Sequence, residues 1–453
     1  MEYAEWLKAN STPKRYAHFD VRVSVADVEY KIRDPQYIIH HGFYPFIHYV
    51  QVTHKYHNMT HEKVDKQRDI CYCAHIDRCI YQYYAYLLNE CYNDRVLRDG
   101  LNDVAVAYRN NLGKTNIHFA KSAFDFIKGR PSCYIMIGDF TDFFGKLEHW
   151  YLKDQLCSLL KQESLPPDYY AVYKNITRYT KWELSSLLEI NRLKDSVKDR
   201  KELNKKRTVL TSDQFKKFKK SCITKNGQTG IPQGSPISAV LANIYMLKAD
   251  KMIHDYVVAH DGMYMRYSDD FIIIMPANTE EWKKHYQWIK DKIGSVPGVE
   301  LQPDKTKLFH FDTDTVISCN SEFESDMPNG QNKINFLGFS FDGKEVTIRD
   351  KTISKYYHKL YRKARYIPKH AFISPKGRKI SCANLYQHYS CKGMKPQKER
   401  DGSYIKHGNF LTYVKRAHLV FNGEPITRST KRHMLKIRRV LSSPQKECGT
   451  EKD

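Results

Sequence analysis

The stretch Met263–Met275, MYMRYSDDFIIIM, decides how the chain folds. Met263–Tyr267 and Phe271–Met275 are rich in aromatic and β-branched residues, so the pattern predicts two strands. The Ser-Asp-Asp between them then forms the turn of a β-hairpin and carries two adjacent carboxylates, Asp269 and Asp270. A rigid sheet directs such carboxylates and a turn exposes them, which suits metal binding. Taken alone, the pattern fits an ordinary Ser/Asp turn equally well.

Two upstream segments give the hairpin a context. In Tyr134–Trp150, YIMIGDFTDFFGKLEHW, a short apolar strand, Tyr134–Gly138, ends on Asp139. An acid at the end of a buried strand is poorly explained by packing. In Gly230–Ser238, GIPQGSPIS, prolines and glycines predict an extended loop that leads into the apolar run Ala239–Met246. Backbone N–H groups point outward where such a loop begins a helix.

Asp139 with Phe143 and Phe144, then GIPQGSPIS, then YSDD resemble, in order and spacing, the palm of a reverse transcriptase of the bacterial and group II intron-like kind. Further segments resemble the defence-associated, "unknown-group" reverse transcriptases of bacteria, including the abortive-infection type, which are related to retron reverse transcriptases. These segments are HGFYPFIHY (41–49), RDICYCAHIDRCIYQYYAYLLN (68–89), AYRNNLGKTNIHFA (107–120) and GNFLTYVKRAHLVF (408–421).

The resemblance implies an α+β fold, a right-hand polymerase with fingers, an RRM-like palm of antiparallel sheet packed on helices, and a helical thumb. The expected domains are an N-terminal region and fingers at 1–133, a palm at 134–344 with a finger insertion at about 151–229, and a basic helical thumb and C-terminal region at 345–453.

Four segments outside the motifs carry their own predictions. Asn191–Lys220 is dense in charged residues, which predicts either a solvated helix pair or a mobile insertion. Arg428–Arg439 is predicted to be a basic helix, and loops are predicted at Ser374–Arg378 and Lys392–Tyr404.

Length and composition set further limits. At 453 residues the chain is long enough for two or three packed units. It has no apolar run near the ~18 residues of a membrane span, and MEYAEWLKAN has no signal pattern. An odd count of 11 cysteines without regular spacing favours reduced thiols, so we expect a cytoplasmic protein without membrane contact.

The positive charge is concentrated near the C-terminus. Net charge is +23, and residues 351–453 hold 25 Lys and Arg against 6 Asp and Glu, which is +19. The first 350 residues therefore carry only +4. A basic region of this kind predicts a polyanion-binding surface, and a solubilising face is the alternative. We expect Arg432, Arg438 and Arg439 to contact the phosphates of a partner RNA.

The resemblance implies the catalytic chemistry. Nucleotidyl transfer needs two divalent cations ~3.5–4 Å apart, and Mg²⁺, with Mn²⁺ as a substitute, prefers carboxylate and phosphate oxygens. Asp139 and Asp269 would bridge both ions, Asp270 would assist, and Phe140 belongs to the same metal set. Three acids this close would repel one another without cations, so they make sense mainly as a metal cage.

Nucleotide selection is implied at three positions. Phe144, five residues after Asp139, would act as a steric gate that excludes a 2′-hydroxyl and so favours dNTPs. The alternative is a core phenylalanine of a Phe-Phe pair. Gln233 and Gly234 would lie against the nascent base pair and the template strand.

Other residues are expected to contact phosphates or the primer. Arg109 and Lys114 would hold the triphosphate, with ordinary surface charge as the alternative. Lys305 would protonate the leaving pyrophosphate or simply contact a phosphate. NFLGFSF (335–341) is predicted to be half of a hairpin with Gly338 at a bend, and the resemblance implies that Leu337 and Gly338 press the primer end toward the acids.

The sequence thus predicts an RNA-directed DNA polymerase that copies a partner non-coding RNA into DNA from dNTPs in bacterial anti-phage defence. Protein-primed or weakly templated DNA synthesis is the second hypothesis, and 33 tyrosines offer priming hydroxyls without singling one out. A catalytically silent nucleic-acid-binding scaffold is the third, and the intact acid triple argues against it. The sequence leaves a homo-oligomer open.

Overall fold

The computed structural model describes residues 2–57, 62–369, 373, 382–394, 397–398, 404–405 and 408–442. The predicted loop Ser374–Arg378 lies outside these residues, as does most of the loop predicted at Lys392–Tyr404. The chain divides into two compact units. The first comprises the chain up to Gly113, Ile137–Ile273 and Thr279–Thr306, and the second comprises Lys114–Met136, Ile274–Asn278 and the chain from Lys307.

The strands of the described residues are β1 (Phe46–Val50), β2 (Thr53–His57), β3 (Glu62–Lys66), β4 (Asp69–Tyr72), β5 (Ser132–Asp139), β6 (Thr180–Glu183), β7 (Ile223–Lys225), β8 (Met263–Tyr267), β9 (Asp270–Met275), β10 (Lys307–Asp312), β11 (Thr315–Ser318), β12 (Ile334–Phe336), β13 (Phe339–Phe341), β14 (Val346–Ile348), β15 (Gln397–Lys398) and β16 (Tyr404–Ile405).

The α-helices of the same residues are α1 (Tyr3–Ala9), α2 (Glu29–Ile32), α3 (Pro35–His40), α4 (His75–Arg98), α5 (Asn116–Lys128), α6 (Phe143–Lys146), α7 (His149–Leu160), α8 (Pro167–Thr177), α9 (Leu184–Ile190), α10 (Val197–Leu203), α11 (Ser212–Cys222), α12 (Ser238–Ala259), α13 (Thr279–Gly294), α14 (Asn320–Phe323), α15 (Asp350–Lys369), α16 (Ala383–Tyr389), α17 (Phe410–Val420) and α18 (His433–Ser442). None of them is long and apolar enough to cross a membrane.

A four-stranded sheet in the first unit has the strand order β4–β1–β6–β7. Its strand β1 pairs antiparallel with β4 and parallel with β6, so Ile47 lies opposite Tyr72 on one side and Trp182 on the other. Ile47 and Trp182 are fully buried and anchor an apolar cluster that includes Leu187 and Leu203. The free edge of β4 is where the GIPQGSPIS loop attaches, through a hydrogen bond described below.

The charged segment 191–220 is a packed helix pair, α10 and α11. Ser196 caps α10 by accepting a hydrogen bond from the Asp199 N–H, and Thr211 and Gln214 form a capping box at α11. Between the two helices, Val209 and Leu210 are buried in the same cluster as Leu203. This anchoring favours the predicted helix pair over the mobile insertion.

A second sheet has the order β11–β10–β5–β9–β8. The central strand β5 is buried along almost its whole length, as the apolar run Tyr134–Gly138 predicts. The ring of Phe271 in β9 lies against Gly138, because a Cβ at that glycine would come within 2.3 Å of the ring. The end of β5 at Asp139 therefore lies beside the beginning of β9 at Asp270.

In the second unit, β12 and β13 form a complete hairpin where the sequence predicts half of one, with Phe336 paired to Phe339. Its two-residue turn, Leu337–Gly338, has φ values of 46° and 93°. Both central residues must take positive φ in this kind of turn, which is why glycine is favoured there.

The helices of the second unit's C-terminal part share one apolar cluster. Tyr356, Leu360 and Ala364 recur every four residues on α15, so they face one side of the helix and are buried. They pack with Leu411 of α17 and Ile437 of α18. These contacts leave the basic residues of α15 on its other faces.

The predicted helix Arg428–Arg439 is wrong at its start. Arg428–Thr430 is a short 3₁₀ turn, and the α-helix begins at His433. Arg432 between them has a φ of 60°, a left-handed conformation that interrupts any helix running through it. Arg432 therefore precedes the helix, while Arg438 and Arg439 lie on it.

Candidate active site

The predicted hairpin at Met263–Met275 is confirmed. Its strands β8 and β9 are joined by a turn at Ser268–Asp269, and Asp270 is the first residue of β9. Ser268 is buried with a φ of 64°, while Asp269 is half-buried and Asp270 is exposed. The turn thus presents two carboxylates outward from a buried base.

A buried ion pair supports this turn from below. Arg266 and Asp250 are 0% and 1% exposed, and they meet in two hydrogen bonds of 2.5 and 2.9 Å. The third guanidinium nitrogen donates to the carbonyl oxygen of Ser268 at 2.9 Å, directly before Asp269. Burial opposes the charged guanidinium, but the attraction of Asp250 outweighs it and raises the pKa of Arg266. Arg266 therefore stays charged and holds the turn through its hydrogen bond to the Ser268 carbonyl.

Tyr108 supports the turn from a second side. Its hydroxyl donates to the Ser268 hydroxyl at 3.0 Å, and its backbone has a φ of 63°. The segment before it is tied to β8, because the Arg266 N–H donates to the Val104 carbonyl and the Val106 N–H donates to the Arg266 carbonyl. A non-glycine residue with positive φ persists only where the surrounding structure holds it.

Asp139 at the end of β5 has one free and one occupied carboxylate oxygen. Lys305 donates to Oδ2 at 2.5 Å. Oδ1 is buried and has no hydrogen-bond partner among the described residues. The Asp139 carbonyl accepts a hydrogen bond from the Gln302 N–H at 2.9 Å, which fixes the loop that carries Lys305.

These residues fit divalent cations in donor chemistry. Within the described part of the chain, no three His, Cys, Asp or Glu side chains are already gathered as a metal cage. A buried carboxylate oxygen without a partner is costly, and a bound cation would satisfy it. The Phe140 side chain is buried, so only its backbone carbonyl could join Asp139, Asp269 and Asp270 as a ligand. The ammonium of Lys305 is the positive charge that now balances Asp139.

The two phenylalanines after Asp139 take different positions. Phe143 is buried, whereas Phe144 is half-buried and packs edge-on against it at 5.7 Å between ring centroids. Phe143 is thus the core residue of the pair, and the gate role of Phe144 stays a prediction. The Phe144 carbonyl accepts a hydrogen bond from the Ile231 N–H at 2.9 Å, so this segment is joined to the GIPQGSPIS loop.

That loop is held between two elements of the first unit. The Cys71 N–H of β4 donates to the Gln233 carbonyl at 2.8 Å. Gly234 has a φ of 115°, and a Cβ there would come within 2.4 Å of the Cys71 carbonyl oxygen. No other residue fits at this close approach. Gln233 is half-buried and Gly234 is exposed.

The remaining predicted residues fall in both units, with Arg109 in the first and the others in the second. Arg109 is buried and donates to Asn93, to the Asn102 carbonyl and to the Asn102 side chain, and burial lowers its pKa. These bonds commit most of its donors to local structure. Lys114 is exposed before α5 in the second unit. Leu337, Gly338 and the exposed Arg432, Arg438 and Arg439 also belong to the second unit.

Sequence reasoning missed the supports of the turn, Arg266, Asp250 and Tyr108. One signal was present: an arginine in the apolar strand MYMRY needs a buried partner, because an unpaired charge is not tolerated there. Asp250 in the long apolar helix α12 raises the same question. Only the fold shows that Arg266 and Asp250 form an ion pair with each other.

Comparison with known proteins identifies the class. Residues 22–341 match the family "Reverse transcriptase (RNA-dependent DNA polymerase)". The match covers well over half of the chain, so the chain belongs to the reverse transcriptase family. The predicted fold class, an α+β right-hand polymerase, is thereby confirmed. No curated protein matches the chain.

Solved structures of similar fold include fungal telomerases. Apo telomerase from Candida tropicalis truncated from its C-terminal domain is 14% identical, covers 67% of this chain and 55% of its own, and has a TM-score of 0.41. Telomerase from Candida albicans in complex with a fragment of telomeric RNA is 12% identical, covers 96% and 58%, and has a TM-score of 0.39. This chain thus spans little more than half the length of each telomerase, and TM-scores of 0.41 and 0.39 indicate only weak structural similarity.

Proposed function

We propose that the protein is an RNA-directed DNA polymerase that extends a primer by two-metal nucleotidyl transfer. One observation carries the proposal: the sheet sets the end of β5 beside the beginning of β9, so Asp139 and the Asp269–Asp270 turn share one edge. The unpartnered Oδ1 of Asp139 supports a cation at this edge. Membership of the reverse transcriptase family supports the reaction type.

The ligands would be Asp139, Asp269 and Asp270, with the Phe140 carbonyl. When bound, two Mg²⁺ ions, or Mn²⁺ in their place, activate the primer 3′-hydroxyl and neutralise charge on the triphosphate. Arg266 holds the turn so that Asp269 keeps its orientation, and the positive charge of Arg266 is neutralised by Asp250. The acids can therefore accept cations without competition from this arginine.

Lys305 has a role that depends on the state of the site. Its ammonium now neutralises Asp139, and its side chain is 40% exposed. In a site where Asp139 held a cation, Lys305 would contact a phosphate oxygen or donate a proton to the leaving pyrophosphate. A lysine held by a single carboxylate can make this exchange because its flexible stem moves freely.

Nucleotide and template selection would rest on Phe144 and on the GIPQGSPIS loop, which are linked by a backbone hydrogen bond. Phe144 would exclude a 2′-hydroxyl, and the Ile231–Phe144 hydrogen bond would hold it in place. Gln233 and Gly234 would lie against the nascent base pair and the template. Their backbone is fixed by Cys71, which supports a precise surface for the template.

Contacts outside the first unit complete the proposal. Lys114 would contact the triphosphate, whereas Arg109, which belongs to the first unit, would support the local fold there, given its hydrogen bonds. Leu337 and Gly338 would press on the primer end. Arg432, Arg438 and Arg439 are exposed and would bind the phosphates of the RNA.

The setting we infer is a bacterial cytoplasm, where the protein would copy a partner non-coding RNA into DNA as part of anti-phage defence. The segments that resemble defence-associated reverse transcriptases support this setting. A homo-oligomer fits the same proposal.

Protein-primed synthesis is the second candidate, and one observation favours it. The Tyr108 hydroxyl lies 3.0 Å from the Ser268 hydroxyl, beside the catalytic turn, and the residue is 49% exposed. A tyrosine hydroxyl there could accept the first nucleotide in place of a primer end.

Radiolabelled dNTP incorporation separates the two candidates. The protein purified from its host is incubated with its co-purifying RNA and Mg²⁺, and the product is treated with protease or ribonuclease. Templated synthesis predicts that the product disappears when the RNA is digested beforehand, that its sequence complements the RNA, and that it carries no protein. A product that remains bound to protein and disappears in Tyr108→Phe would favour protein priming. No incorporation under any of these conditions contradicts both.

A further inference from the structure

A pocket of ≈ 350 Å³ lies in the first unit, outside the acid cluster. It opens to solvent between the four-stranded sheet and α10, and its lining includes Gly234 of the GIPQGSPIS loop. Pockets for small ligands start at about 300 Å³, so this one suits a single flat group rather than a large molecule.

Aromatic rings and one guanidinium form its walls. Tyr16, Tyr49 and Tyr72 line the pocket, and Tyr49 and Tyr72 meet edge-on at 6.3 Å. The guanidinium of Arg200 lies over the Tyr49 ring at 5.5 Å and is oriented by two hydrogen bonds to Asp195 of 2.6 and 3.0 Å. Rings and a planar guanidinium are the surfaces on which nucleobases stack.

The same residues carry polar atoms that the fold leaves unused. The hydroxyls of Tyr49 and Tyr72 make no hydrogen bond to the described part of the chain. One terminal guanidinium nitrogen of Arg200 also has none, because Asp195 takes the other two nitrogens. The Asn204 side-chain oxygen accepts from the Ala17 N–H, while its amide nitrogen has no partner within the described residues. Residues that line a pocket with rings and also carry unused polar atoms match the faces and the hydrogen-bonding edge of a base.

We propose that this pocket binds an unpaired nucleobase of the template strand, ahead of the base being copied. The inference rests on the proposed function, since that function places the template against Gln233 and Gly234. Gly234 lines the pocket itself, so a strand that crosses this loop passes its mouth. A base that is still unpaired exposes both its faces and its edge, as the tyrosines and the free donors require.

The test is a scan with abasic templates. Fluorescence anisotropy measures the Kd of primer–template duplexes, without dNTPs, in which one abasic position is moved along the RNA overhang. We expect one position at which loss of the base weakens binding by roughly 5- to 150-fold, the effect of removing one stacked base. Tyr49→Ala and Arg200→Gln should bind the intact template as weakly as wild type binds that abasic template.

Tyr30→Ala is the matched control, because Tyr30 is a 72% exposed tyrosine of the same unit outside the pocket. It should keep the wild-type profile. Arg200→Gln is expected to fold normally even if Tyr49→Ala does not, because the Arg200 side chain is 38% exposed and not part of the core. A flat profile in wild type, or a profile unchanged in both pocket variants, would overturn the proposal.

Two further readouts keep the causes apart. Primer extension on the intact template is measured in parallel. Extension together with a flat abasic profile would contradict only the proposal about the pocket. A protein that neither binds the template nor extends the primer would contradict the proposed function as well. Free adenosine and uridine are titrated in competition. Tyr49-dependent binding of the free nucleosides together with a flat abasic profile would also overturn the proposal, because the pocket would then serve a free ligand.

Discussion

At the residue scale, Asp269 owes its position to side chains that do not reach the surface. Arg266 connects the buried Asp250 to the Ser268 carbonyl, and Tyr108 holds the Ser268 hydroxyl. Ser268 itself has a positive φ, a conformation that costs free energy and has to be held in place. The turn is therefore as stable as the hydrogen bonds beneath it.

Arg266→Ala should lower the free energy of unfolding by about 3–5 kcal/mol, because it leaves the Asp250 carboxylate buried without a partner. Urea denaturation measures the loss. Lys251→Ala is the control. The ion pair of Lys251 with Asp255 lies on α12, as Asp250 does, but it is exposed, so the loss should be at most about 0.5 kcal/mol. Equal losses in the two variants would show that the buried pair contributes nothing special.

Phe144→Ala should admit ribonucleotides, because it removes the half-buried ring that would block a 2′-hydroxyl. We expect the ratio of kcat/KM for dGTP over GTP to fall by roughly tenfold or more. Phe143→Leu, at the buried neighbour, should lower stability yet keep the ratio. An unchanged ratio in Phe144→Ala would place the gate elsewhere.

At the scale of elements, the local residue pattern predicted the strands, whose formation depends mainly on neighbouring residues in the sequence. The aromatic and β-branched residues of MYMRY and FIIIM predicted β8 and β9, and the apolar run before Asp139 predicted β5. The Arg266–Asp250 pair could not be predicted, because its residues lie 16 positions apart on a strand and a helix that meet only in the fold. The start of α18 was missed because a left-handed Arg432 leaves no signature in its residue type.

The basic residues of the last helix give a prediction at the same scale. If Arg432, Arg438 and Arg439 each contact phosphate, replacing all three by Gln should flatten the dependence of log K on log[salt] by ~2–3 units. RNA binding is measured by filter retention over a range of salt. Extension of a saturating, preformed primer–template should suffer less than RNA affinity.

A matched triple on α11 gives the control for that experiment. Lys216, Lys219 and Lys220 are equally exposed, but they lie in the first unit. Their replacement by Gln should leave the slope unchanged. If the α11 triple flattens the slope and the C-terminal triple does not, the RNA lies on α11 and the C-terminal helix is a solubilising face.

At the scale of the whole molecule, charge and stability are distributed unevenly. Most of the net charge lies beyond residue 350, while the acids of the site lie in the first unit. Buried polar residues also tie the fold to pH. His18 is fully buried, and burial lowers its pKa to about 3. Its ring stays neutral in the folded protein, while an unfolded histidine takes up a proton near pH 6.5.

Stability should therefore fall as the pH drops below about 6.5, because protons bind the unfolded chain first. Between pH 7 and pH 5.5, His18 alone should cost about 1 kcal/mol of the free energy of unfolding. Urea denaturation at both pH values measures the difference. His18→Gln keeps a donor for the Tyr72 carbonyl and should reduce this pH dependence by the same amount. An identical pH dependence in the variant would show that His18 titrates alike in both states.

The central claim is that Asp139, Asp269 and Asp270 bind the metal ions of a DNA polymerase. Primer extension with dNTPs and Mg²⁺ on an RNA template, by wild type and Asp269→Asn, tests it most directly. Asn keeps the shape of the turn but removes the charge that a cation needs, so we expect extension to fall to background while the thermal unfolding midpoint stays close to wild type. Asp213→Asn, an exposed acid on α11, should extend normally. Extension by Asp269→Asn at the wild-type rate would contradict the account.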